Sequence, residues 1–171
     1  TALFALMAWF IPEPHHVEKT NLRKGLELVL QNRTLLWILA CSAVHFSVHL
    51  ANSNFLVVHL HDLDLGNIWV GISMAAGIIV EVIVLGMSKK LLERWTAVEL
   101  FQTAAGLAIF RWMGMATFTS SGLIVFTQAS HGVSFGLFWV AAIHLVKEHT
   151  PKEAKATGQS LLAASVGGVG A

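Results

Sequence analysis

Glu81 stands in the apolar run Ile68 to Met87 with no basic residue beside it. An ionisable group inside such a run marks a functional site by default. Two readings stand for this one: a proton carrier, or a neutral carboxyl bonded to a neighbouring helix. Arg111 lies in the run Ala97 to Phe118. It does not give up its proton, so it needs an acceptor, either a solute carboxylate or a structural partner. His131 lies in Leu123 to Val146, and Gln128, His131, Phe135 and Phe138 follow one another at helical spacing. That stripe joins hydrogen-bonding groups to aromatic surface, which suits an aromatic or amphipathic ligand; a packing histidine fits equally well. His45, His49 and Asn52 share another helical face, with Ser42 a turn earlier. They read as one wall of a hydrated cavity or as interhelical hydrogen bonds. At a rise of ~1.5 Å per residue, Glu81 and Arg111 differ by roughly 10 Å in depth, so a direct pair between them is not expected.

Other chemistry is weaker. His59, His61 and Asp62 alternate in a turn and could hold a metal at its mouth, but no metal ligand is assigned. The single cysteine, Cys41, excludes an internal disulfide. Asn32-Arg33-Thr34 matches a glycosylation sequon. There is no phosphate loop, zinc-protease motif or GxSxG, and no catalytic residue or cofactor is assigned.

The elements that carry these residues are spelled out by charge. Ten of the 11 Lys and Arg residues fall in short clusters, Lys19 to Arg33, Lys89 to Arg94 and Lys147 to Lys155. Between them the chain is apolar, and 55% of it is hydrophobic against 12% charged. Such a composition excludes a soluble domain. A helix needs ~20 apolar residues to cross a bilayer. The intervals are long enough for hairpins of two spans, with all basic clusters on the cytoplasmic side. The expected class is therefore all-α, a polytopic transmembrane bundle. Residues 1–11 read as the end of a span, and residues 12–33 as a cytoplasmic linker whose Leu22, Leu26, Val29 and Leu30 form an amphipathic helix on the membrane surface. Residues 34–171 form the bundle, with spans at about 35–60, 68–87, 97–118, 123–146 and a truncated 156–171. Small residues, Ser73 and Gly77 on one span and Gly132 and Gly136 on another, invite close helix contact. They serve packing, or rocking of the helices.

Several segments resemble a known family. Trp69-Val-Gly-Ile-Ser, Gly77-Ile-Ile-Val-Glu81-Val, Leu91-Leu-Glu-Arg-Trp95, Arg111-Trp112, the stretch Gln128 to Trp139 and Lys152 to Ser160 resemble the C-terminal half of major facilitator transporters. The nearest branch is that of 3-phenylpropionate permeases and related MFS_1-like proteins. The resemblance implies a partial facilitator fold, from the end of helix 6 to the start of helix 11. It implies an N-terminal half of the same chain and a twelfth helix beyond these residues, and alternating access around a mid-membrane site. It favours His45, His49, Asn52, Glu81, Gln128 and His131 as cavity residues and disfavours Arg111, because helix 9 is usually peripheral in that superfamily. The loop from Gly86 to Trp95 departs from the superfamily's acidic-arginine-glycine motif.

The reading that follows is a secondary transporter of the bacterial inner membrane, not an enzyme and without nucleic-acid partners. Its partners are protons, the lipid bilayer and a small organic solute: an aromatic acid, a sugar or a nucleoside. Glu81 and His131 are the expected proton-coupling groups. His45, His49, Asn52, Gln128, Phe135, Phe138 and Arg111 are the solute-binding candidates. The alternatives are a metal-handling or sensing membrane protein, or a membrane-embedded enzyme.

Overall fold

The computed structural model describes residues 22–169. The span end expected at residues 1–11, residues 12–21 of the linker, and the last two residues lie outside the described residues. The described part consists of seven α-helices. They are α1 (Leu22–Gln31), α2 (Arg33–Asp62), α3 (Asn67–Gly86), α4 (Ser88–Arg94), α5 (Ala97–Thr117), α6 (Ser121–His149) and α7 (Lys155–Ala164). A 3-10 turn, Lys152–Ala154, precedes α7, and a π-turn, Ser165–Val169, continues it. Of the described helices, α2, α3 and α6 are long and apolar enough to cross a membrane. α5 has comparable length, with 21 residues, but Glu99, Gln102 and Arg111 dilute its apolar character. The all-α helical bundle expected from composition is the fold found.

Local chemistry sets the helix ends. Thr96 accepts from the Glu99 N–H at 3.2 Å while the Glu99 carboxylate accepts from the Thr96 N–H at 2.8 Å, a reciprocal cap that starts α5. The Asn32 side chain accepts from the Leu35 N–H at 3.1 Å and so caps α2. Its amide group also donates to the His149 carbonyl at 2.9 Å, tying the start of α2 to the end of α6. Asp64 turns the chain between α2 and α3 with φ at 57°, a left-handed conformation that Asp adopts more readily than most residues.

α6 is the hub, packed against α3 on one side and α5 on the other, with α2 closing over it. The α3 contact is built on glycine. A Cβ added at Gly132 would strike the Gly77 carbonyl and lie 2.8 Å from the Glu81 N, and one at Gly136 would lie 2.8 Å from Val84 Cβ. The backbones touch because no side chain stands between them. On the α5 side a Cβ at Gly114 would lie 2.6 Å from Thr127 Cγ2.

The interior is layered. One apolar cluster gathers Leu35 and Leu39 of α2, Leu100 and Ala104 of α5, and Leu137, Phe138 and Ala141 of α6. The other joins Leu56, Leu60, Met115 and Ile124. Between them each helix supplies buried polar groups: His45, His49 and Asn52, then Arg111, then Thr127, Gln128 and Ser134.

The amphipathic helix expected in the linker is α1. α1 lies against α7 and the 3-10 turn, with Gly25 and Val29 buried, and a Cβ on Gly25 would meet Thr157. Leu26 and Leu30 stay exposed. Val29 of the expected apolar face thus packs inward, beside Gly25, while Leu26 and Leu30 of the same face remain outside.

Candidate functional site

The polar layer centres on Arg111, whose side chain is 0% exposed although α5 was expected at the periphery of the bundle. Its position one α-helical turn before Met115 and two after Ala104 points it inward, between α2 and α6. Arg111 Nη1 donates to His131 Nδ1 and, at 3.3 Å, to His49 Nδ1. The two Nδ1 atoms lie 3.0 Å apart. On its far side His49 Nε2 meets His45 Nε2 at 2.9 Å, the i, i+4 spacing on α2 bringing the two rings together. One guanidinium and three imidazoles thus form a continuous chain across α5, α6 and α2.

Aromatic rings wall this chain. His45 stacks on Phe138 with centroids 4.5 Å apart, and His131 stacks on Phe135 at 5.5 Å. The Phe135 ring also meets the edge of His49 at 4.8 Å. Phe138 is fully buried. Both phenylalanines therefore pack against the histidines as structural walls in this arrangement.

Burying a charge is costly unless it is paired. Arg111 Nε and Nη2 are buried without a partner among the described residues. They form one edge of the guanidinium, the shape that takes a carboxylate with two parallel bonds. The described ion pairs, Arg23–Glu27 and Lys89–Glu93, are both on the surface. Glu81 makes no ion pair with Arg111 among the described residues.

Glu81 lies elsewhere, on the α3 side of α6. With Gln128 and His131 it lines a cleft of about 160 Å³, together with Ser53, Ser73 and Gly77. His131 is thus shared: one edge of its ring belongs to the histidine chain, and its Cδ2 comes within 3.5 Å of the place a Gly77 Cβ would take. The Gln128 amide also donates weakly to Met115 Sδ at 3.5 Å.

Asn52 goes a third way. It shares its helical face with His45 and His49, yet lines a separate cavity of about 390 Å³ with Phe55, His59, Trp112 and Met115. Its Nδ2 is buried without a partner among the described residues, as is Ser42 Oγ. Thus Glu81, Gln128 and His131 come together, as do His45, His49, His131 and Arg111, while Asn52 joins neither group. Ser53 and Ser73 are the cleft residues that sequence reasoning passed over. Ser73 was visible only as a small residue, yet its buried, unpartnered Oγ makes it a polar wall. His59 borders the Asn52 cavity and His61 a different one beside Asp64. No three His, Cys, Asp or Glu side chains are placed so as to hold a metal ion among the described residues.

Similarity adds a lineage to this geometry. The model of the MFS_1 like family matches residues 4–171. A Bacillus subtilis (strain 168) protein, described as the uncharacterized transporter YwbF, is 28% identical over 166 residues, or 97% of this chain and 42% of that protein. The chain therefore spans less than half the length of that relative. No solved structure matches it. A family match over nearly the whole chain, on a bundle with long apolar helices, establishes that this integral membrane protein belongs to the MFS_1 like family, of the major facilitator type.

Proposed function

We propose that this chain forms part of a proton-coupled secondary transporter for a small organic solute, working by alternating access. The observation that carries the reading is the convergence of Glu81, Gln128 and His131 on one cleft between α3 and α6. An acid with no cation beside it in that cleft is suited to carry a proton. The amide and imidazole beside it supply the directional contacts that a solute requires. The unpartnered edge of Arg111, buried one histidine ring behind the cleft, favours an organic acid among the solute classes. Sugars and nucleosides are the competing classes. His45 and His49 support the site from behind, with Phe138 stacked on His45, while Asn52 offers a further polar contact in its own cavity. Orientation follows the charge rule, with the Lys89 to Arg94 and Lys147 to Lys155 clusters cytoplasmic in a bacterial inner membrane. Residues outside this chain, including an N-terminal half, would complete the cavity.

The test uses the full-length transporter reconstituted in vesicles with a pH-sensitive dye inside. Benzoate, glucose and uridine are added separately as probes of the three classes. Movement of protons with one of them supports the reading, and no movement with any overturns it. For the solute that moves, Glu81→Gln is expected to abolish uphill uptake and leave exchange of preloaded solute intact. Loss of both activities would reject a pure coupling role for Glu81. A membrane enzyme would instead change the probe chemically, which chromatography of the vesicle contents detects.

A further inference from the structure

We propose that Arg111 is a positioning residue: it sets the tautomer of His131, and through His49 that of His45, and so decides whether His131 Nε2 meets the Glu81 cleft as a proton donor. The inference rests on the transport reading only for its consequence, since the tautomers themselves follow from the hydrogen bonds.

A guanidinium has donors and no acceptor. The contact from Arg111 Nη1 therefore requires a bare Nδ1 on His131. A neutral His131 then carries its proton on Nε2. Nη1 has a second hydrogen, directed to His49 Nδ1 at 3.3 Å. That bond requires His49 Nδ1 to be bare as well, although it lies only 3.0 Å from His131 Nδ1. The two ring nitrogens are thus bridged by the hydrogens of one Nη1, not by a proton of their own. His49 then bears its proton on Nε2 and donates to His45 Nε2 at 2.9 Å. His45 in turn is left with its proton on Nδ1. The opposite arrangement, with His49 donating through Nδ1, would set an N–H against Arg111. Even then His131 Nδ1 would be the acceptor.

The consequence is local to the cleft. His131 presents its Cδ2 edge toward Gly77, while Nδ1 faces Arg111 and His49. Nε2 adjoins Cδ2 in the ring, so a fixed N–H donor lies on the side of Glu81, Gln128 and Ser73, which line the same cleft as His131. Such a donor favours an acceptor in the cleft, whether the Glu81 carboxylate or an oxygen of a solute. Without Arg111, His131 would be free to protonate Nδ1 and bond His49. The cleft would then meet a bare nitrogen, and a solute acceptor there would lose its hydrogen bond.

The experiment is nitrogen NMR of the ring nitrogens in the full-length transporter, labelled with 15N-histidine and held in nanodiscs. His131→Asn assigns the His131 signals. In the unmutated protein, His131 is expected with a bare Nδ1 and a protonated Nε2; the reverse would overturn the proposal without touching the transport reading. Arg111→Met is expected to mix the two tautomers, while Arg111→Lys, which keeps a donor, is expected to restore the Nε2–H form. An unchanged His131 signal in a folded Arg111→Met protein would also overturn it. Should Arg111→Met fail to fold, the unmutated and Arg111→Lys spectra decide the question alone. Glu81→Gln is expected to shift His131 Nε2 more than Nδ1, and the opposite order would refute the cleft-facing donor.

Discussion

α6 has two unlike faces. Toward α3 it presents Gly132 and Gly136, and the backbones meet with almost nothing between them. Toward α2 and α5 it presents His131, Ser134 and Phe138, and the contact is made by long side chains with a buried charge among them. The first face is specific because it has no slack. The second holds groups that do not fully satisfy one another, with Arg111 Nε and Nη2, Ser42 Oγ and Asn52 Nδ2 left unpartnered among the described residues. A tight seam fixes the angle at which α6 stands against α3, with the Glu81 cleft opening beside it, and the polar layer on the other face leaves these hydrogen-bonding atoms unpartnered among the described residues.

The seam should break hardest. Gly132→Val would drive a Cβ into the Gly77 carbonyl and within 2.9 Å of Val80 Cβ. Neither backbone can yield without moving the whole helix. Overpacking of this kind costs about 1–3 kcal/mol and sometimes more. We expect the upper end, read as loss of the monodisperse peak in size-exclusion chromatography or a strongly lowered Tm in detergent. A Tm equal to that of the unmutated protein would mean that α3 and α6 stand further apart than described.

The polar layer should respond with the opposite sign. Arg111→Met removes a buried charge that has no carboxylate partner among the described residues, and leaves His49 and His131, 3.0 Å apart, free to bond each other. Replacing a buried ion pair with apolar side chains of similar volume is often neutral or stabilising, by about 1–4 kcal/mol, and a charge with no partner has no Coulombic attraction to lose. We expect Tm to hold or rise while transport of the moving solute is lost. A fall corresponding to about 3–5 kcal/mol would instead reveal a carboxylate partner for Arg111 in the rest of the protein.

How much of this division was legible beforehand follows from the same two faces. The seam is written locally: Ser73, Gly77, Gly132 and Gly136 have small-residue spacing, and small residues in apolar helices have few other uses. The all-α class was equally plain, because composition and charge clusters leave little alternative. The His45–His49 contact also follows from i, i+4 geometry on one helix. The rest depended on which way apolar helices face. α5 is apolar on nearly every side, so its sequence does not announce that Arg111 turns inward, and resemblance suggested the periphery. Asn52 shares a face with His49 yet meets a different cavity, because a long helix passes several neighbours along its length. Ser53 and Ser73 carry no chemistry that stands out until the helix opposite is in place.

The smallest effect is the sharpest control, because it uses one helix and one residue type. Gly77 and Gly71 both lie on α3. A Cβ on Gly77 would sit 3.1 Å from the Gln128 carbonyl oxygen, tighter than ordinary contact, whereas one on Gly71 would meet nothing within 4 Å. In a helix interior alanine is favoured over glycine by about 0.8–1 kcal/mol. Gly71→Ala should therefore raise stability by up to that amount, with transport unchanged. Gly77→Ala carries the same intrinsic gain but must push α3 off α6 beside the Glu81 cleft. Its net effect should be zero or negative, and it should weaken solute binding as well. Paired melts in one detergent read the difference directly. Equal rises in Tm for the two substitutions would show that the seam has slack, and the contrast between the two faces of α6 would then have to rest on chemistry alone.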